Sequence, residues 1–174
     1  MIRTIKKIVA PMQRRVRLMI GRGIITLVND ATKEQSVQIS LLEGEVHDHV
    51  ERYQEYGFSS VPQAGAEVIT VSVGGNRGHS VVIATGDRRY RMKNLGAGEV
   101  ALYDDLGQSV HLKRDGITLT SPKVIISAAT TQISGTLTVN GDFTSGGNIS
   151  SGGNITAAGS VIDTTGNTPH HSHA

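Results

Sequence analysis

Apolar and polar positions alternate along most of this chain, and the period of the alternation changes twice. At the start, Ile2, Ile5, Val9 and Met12 approximate a helical stripe, with Pro11 expected to interrupt it. "RVRLMIGRGIITLVND" then alternates and closes on Asn-Asp, which predicts a hairpin or first strands. Residues 1–29 are thus an arm leading into β-structure.

Residues 30–100 predict an all-β module. "SVQISLL", "AEVITVSV" and "HSVVIATG" are short β-branched runs, separated by turn clusters such as "VPQAG" and "GGNRG". "EVHDHVERYQEY" is open between helix and strand: Val46, Val50 and Tyr53 fit a helical spacing, whereas its neighbours favour a long strand. About five strands in this length suggest a small barrel of the OB-fold kind.

From residue 101 to 174 the period is six. Leu119, Ile125, Leu137, Phe143, Ile149, Ile155 and Val161 share one register, and Thr131 is its polar member. "SGGNIS", "SGGNIT" and "AAGSVI" are consecutive hexads, and such self-similarity marks a repetitive architecture. Six is even, so along a strand these side chains all point the same way. One apolar residue per hexad cannot build a core within one chain, but three chains wound about an axis can. The expected fold is therefore all-β, with an OB-fold-like barrel followed by an intertwined trimeric β-helix that tapers to a C-terminal tip. A single-chain hexapeptide solenoid shares the period. At about 50 residues it would have few coils and no evident cap.

Composition fits this division. Aromatics make up only 3% of the 174 residues, thin for one large globular core. There are no cysteines, which excludes disulfides and thiolate metal sites. No apolar run reaches the roughly 18 residues of a membrane span. The N-terminus lacks a secretory pattern, so synthesis and retention in the cytoplasm are expected unless another device carries the chain out. Net charge is +2, unevenly spread: residues 1–29 hold seven Lys/Arg and no acid, while the other ten Lys/Arg share residues 30–174 with fifteen acids, giving −5. A basic arm on an acidic body suggests docking to an acidic partner or to phosphates, the alternative being a solvated arm. From Val124 to Ala174 the only charged side chains are Asp142 and Asp163.

Two stretches carry a family resemblance. "GEVALYDDLGQSVHLKRDGITLTSPKVIIS" (98–127) joins a barrel-like module to a β-helical stem, and "RYQEYGFSSVPQAGAEVITVSVGGNRGHSVVIATGDRRYR" (52–91) matches in the same way. Over nearly its whole length the chain resembles the central baseplate spike of contractile-tailed, Mu-like bacteriophages. The resemblance implies a homotrimer whose OB-fold attaches to the tail hub. Its tip would be driven through the host outer membrane when the sheath contracts. It also implies a His-x-His motif near the tip, with three copies holding one iron on the three-fold axis.

Here that motif is His171-Ser172-His173. Two residues apart in an extended segment, the imidazoles project to one side, so three chains offer six nitrogens. Six-fold nitrogen coordination suits Fe(II), Ni(II) or Co(II) better than Zn(II), and the resemblance selects iron. The alternative is a His-rich end without a ligand. Asp163 has the parity of the apolar column. Facing the axis, three such carboxylates would need calcium or another cation between them; turned outward, they would not. His47-Asp48-His49 is a second His-x-His, read as surface.

Three functions follow from these features. A structural piercing device needs no catalysis, and Arg14, Arg15 and Arg17 would be its contacts to an acidic hub surface. A polysaccharide-degrading tailspike would need paired carboxylates, whereas the stem offers Asp142 and Asp163, 21 residues apart. A single-stranded nucleic-acid-binding OB protein would use Tyr53, Tyr56, Phe58 and Tyr90 with the basic "DRRYRMK", but leaves the hexads unexplained.

Overall fold

Residues Ile20–Gly86 close into a five-stranded barrel in a computed structural model that describes residues 2–42 and 44–159. Its strands are β1 (Ile20–Asn29), β2 (Ser36–Leu42), β3 (Glu45–Arg52), β4 (Glu67–Ser72) and β5 (Ser80–Gly86). The order is β1-β2-β3-β5-β4, and β1 closes the ring by pairing with β4 from Ile20↔Val71 to Ile24↔Glu67. All neighbours are antiparallel except β3 and β5, which meet in parallel at Glu51↔Val81 and Arg52↔Val82. This is the OB-like barrel that the β-branched runs predict.

The barrel core is small because the alternation places one residue in two inside. Ile25, Val37, Ile39, Val50, Ala66, Val68 and Val82 fill it. A bulge at Thr26 shifts the β1–β2 register between Ile25 and Leu27 and adds the twist that closure needs. Gly23 lets β1 and β2 approach closely: a Cβ there would lie 2.7 Å from the Ser40 carbonyl oxygen.

"EVHDHVERYQEY" resolves as β3 up to Arg52 and irregular chain beyond it, so the helical spacing of Val46, Val50 and Tyr53 is not used. Arg52 ends the strand by fixing the long β3–β4 connection. Its guanidinium donates to Thr85 Oγ1 (2.9 Å), Gln35 Oε1 (2.6 Å), and the Ser60 carbonyl (2.8 Å) and hydroxyl (2.9 Å). Tyr53, Tyr56 and Phe58 remain exposed on that connection.

The arm differs from expectation. A single helix, α1, runs Ile2–Arg17 straight through Pro11. Proline removes one backbone donor, but the stripe of apolar residues continues on either side of it, and the helix is not ended there.

After the barrel, β6 (Val100–Tyr103), β7 (Ser109–Leu112) and β8 (Ile117–Thr120) form a separate antiparallel sheet. The chain divides into two compact units, 1–125 and 126–174. The sequence reading ran the stem from residue 101; residues 100–120 instead pair as this sheet within the first unit. In the second unit, residues 126–159 form no paired strand and every side chain is exposed. A single-chain solenoid would pair successive coils with one another, so the described residues do not support that alternative.

Candidate assembly interface

The β6–β7–β8 sheet has one face made entirely of aliphatic side chains. Its registers align Val100 with Leu112 and Ile117, and Leu102 with Val110 and Leu119. Residues paired directly across strands share a face, and alternate residues along a strand share it too. The opposite face carries Ala101, His111, Thr118, Tyr103, Ser109 and Thr120. In the single chain the aliphatic face lies open: Leu102 is 53% exposed, Ile117 68% and Leu119 61%. A contiguous patch of this kind marks an interaction surface. Strands of four residues are also too short to stand alone on ladder bonds.

The polar side of the sheet is fixed by Glu99. Its carboxylate accepts from the Gly96 amide (2.8 Å) and the Arg114 amide (3.4 Å), and contacts His111 Nε2 at 3.1 Å. The Gly96 amide, then the Arg114 amide and His111, hold its pKa below the ordinary value of 4.5, against a smaller opposing cost of desolvation. A depressed carboxylate stabilises above its unfolded pKa, and that contribution is lost as pH falls through the folded value. Glu99→Gln should therefore lower the melting temperature at pH 7. The gap to the parent chain should close below about pH 4.5 in parallel thermal melts.

The second unit presents the hexads physically. The backbone bends at residues 129, 135, 141, 147, 153 and 159, a strict period of six, with glycine at the last five. Two of these bends repeat one hydrogen-bond pattern. The Ser145 hydroxyl donates to the Gly147 carbonyl at 2.8 Å, and the Ser151 hydroxyl to the Gly153 carbonyl at 2.9 Å. The register residues lie two positions after the glycines at 135, 141, 147 and 153: Leu137, Phe143, Ile149 and Ile155, all exposed. Each hexad is thus a bend followed by a register residue that stays exposed, with no partner among the described residues.

Of the sequence-predicted sites, Arg14, Arg15 and Arg17 lie in the last turn of α1, exposed. His171, His173, Asp163 and the register residue Val161 lie outside the described residues. His47 is half-buried against Glu45 (2.9 Å), whose other oxygen meets Arg77 at 2.8 Å, and His49 is exposed. Among the described residues no three His, Asp or Glu side chains group to hold a metal ion. In "DRRYRMK", Arg88 pairs with Glu67 (2.9 Å) and Arg89 with Asp87 (2.6 Å), so two of its cations already face carboxylates. The sheet face itself was missed by sequence reading. Its signal was available in the alternation of "VALYD", "SVHLK" and "GITLT", but the six-residue period had absorbed that stretch.

Comparison with known proteins bears on the same regions. Residues 22–89, most of the barrel, match the family described as Bacteriophage Mu Gp45, N-terminal. The chain is 38% identical over 121 residues to the baseplate puncturing device gp45 of Escherichia phage Mu, an overlap of 70% of this chain and 61% of that one. It is 42% identical over 119 residues to the Mu-like prophage FluMu protein gp45 of Haemophilus influenzae, covering 68% and 65% respectively. The chain spans a little under two thirds of the length of these curated relatives.

Proposed function

We propose that this chain, which belongs to the gp45 family of Mu-like phage baseplate proteins, is the protomer of a homotrimeric spike that pierces the host outer membrane on sheath contraction. The observation that carries this reading is the uncovered aliphatic face of β6–β8. Three such faces turned inward form a closed apolar prism, and the hexad ribbons of three chains wind into an intertwined β-helix. Burying a Leu or Ile contributes about 1.5–3 kcal/mol. The dozen or more side chains of the sheet layers alone then yield a self-locking rod. Such a rod transmits force without catalysis, because the contracting tail supplies the energy.

In this reading the barrel end attaches to the baseplate hub, with Arg14, Arg15 and Arg17 meeting an acidic hub surface. The spike is made in the host cytoplasm and ends up at the tip of the virion tail. At the far end His171 and His173 from three chains supply six imidazole nitrogens, a donor set that fits iron. Iron bound there supplies a cross-link where the apolar column has run out. Asp163, if turned to the axis, adds a site for calcium or a similar cation. The nucleic-acid reading has less support, since Arg88 and Arg89 are engaged by carboxylates.

Native mass and elemental analysis of the tag-free chain test this together. The expected result is a trimer carrying one iron, with the iron lost and the trimer kept on changing His171 and His173 to Ala. A metal-free trimer would remove the histidines from the account but leave the spike. A monomer would end it.

A further inference from the structure

Among the described residues, α1 is seated on the rest of its unit at its C-terminal end. The Ser72 amide donates to the Met19 carbonyl at 2.7 Å, just past the helix. The Arg15 carbonyl lies so close over Gly75 that a Cβ there would clash with it. On the same helix, Met12 is 69% exposed and Val16 59%.

These exposed residues have a particular spacing. Within α1, Val9, Met12 and Val16 are separated by three and four residues, and in the sequence the same spacing reaches back through Ile5 to Ile2. That is a heptad seam, with Ile2, Val9 and Val16 at a and Ile5 and Met12 at d, bordered by Ile8 at g. The charged positions avoid it. Lys7 and Arg14 fall at f and Arg3 and Arg17 at b, the outward positions, while Lys6 at e and Arg15 at g flank the seam. Pro11 falls at c, also outward, where its missing amide disturbs no interhelical contact. A helix lying on a membrane surface needs a wide apolar face, usually with aromatic residues. α1 has no aromatic residue, and Ile8 at g is the large apolar residue exposed beside the seam.

We infer that α1 packs against the α1 helices of two further copies in a parallel coiled coil, forming a basic-rimmed collar at the N-terminal end of the assembly. The inference rests on the three-chain reading above, because this mixture of isoleucine, valine and methionine at a and d does not itself fix the number of strands. A helix of sixteen residues is marginal alone. Three helices tethered to one trimer meet at a high effective concentration, so a short seam suffices. The absence of acids in the arm leaves the helices mutually repulsive, so the collar should tighten as added salt screens them.

The chain has no cysteine, so Met12→Cys introduces a single thiol on the seam and Lys7→Cys a single thiol on the outer side. Under mild oxidation of the full chain, Met12→Cys should give covalent dimers from up to two of every three chains, since one disulfide joins two thiols. Lys7→Cys should give about tenfold less. Val16→Cys repeats the seam test in case Met12→Cys disturbs the helix. Equal cross-linking of Lys7→Cys, or none at either seam position, overturns the collar. So does a seam thiol that stays open to maleimide until anionic phosphatidylserine vesicles or an acidic polypeptide are added, which would assign the stripe to that surface. The native mass of the same samples separates the two failures: an uncross-linked trimer loses the collar alone, and a monomer loses the three-chain reading with it.

Discussion

Leu119→Asp should convert the proposed trimer to monomer while the barrel remains folded. Leu119 shares one layer of the β6–β8 face with Leu102 and Val110. In the trimer three copies of that layer meet. Each substitution removes about 2 kcal/mol of apolar burial. Each also places a carboxylate among aliphatic side chains beside two like charges, at a cost of several kcal/mol per ion. Over three chains the loss is on the order of 15 kcal/mol, comparable to the whole free energy of a tight association. Light scattering should report one third of the parent mass. The barrel core of Ile25, Val37, Ile39 and Val82 lies on other strands, so β-sheet circular dichroism should persist. Thr118→Asp is the control: Thr118 occupies the opposite face, aligned with His111, and its carboxylate stays in water. A trimeric Leu119→Asp would remove this face from the assembly.

The barrel was legible in the sequence because period-2 patterning and β-branched runs act locally. "SVQISLL" is β2 residue for residue, and the cores of "AEVITVSV" and "HSVVIATG" are β4 and β5. What failed was where two signals competed. Pro11 outweighed the apolar stripe in the reading, yet one missing donor does not stop a helix whose other residues favour it. In "EVHDHVERYQEY" the helical spacing lost to the sheet, because Val50 is drawn into the barrel core opposite Val37. The β6–β8 sheet was hidden for a different reason. Leu119 and Ile125 belong both to the sheet's neighbourhood and to the hexad register, and a one-dimensional pattern cannot say which partner a residue meets. The hexads themselves were legible because the bends recur at glycine with the same period. Among the described residues nothing covers their apolar side chains, so what they bind is a question for assembly.

Ile149→Asp should open the stem without dissolving the trimer. Ile149 lies in the middle of the register between Phe143 and Ile155, and in the proposed β-helix its three copies fill one layer of the axis. A carboxylate there cannot turn outward, because a shift of one residue would move every apolar side chain of the ribbon to the wrong side. The layer must open locally instead. The aliphatic sheet face and its layers lie upstream and are untouched, so native mass should stay trimeric. Trypsin cannot read the opening, since no Lys or Arg follows Lys123. Proteinase K can, and a local opening that costs about 3 kcal/mol less should speed cleavage near residue 149 on the order of a hundredfold. Resistance to SDS should fall with it. Ser150→Asp, one residue on and of opposite parity, should leave both properties intact. The two substitutions differ in parity alone. Equal protease sensitivity in both would mean that the six-residue register does not face an axis, and a difference would mean that three chains share it.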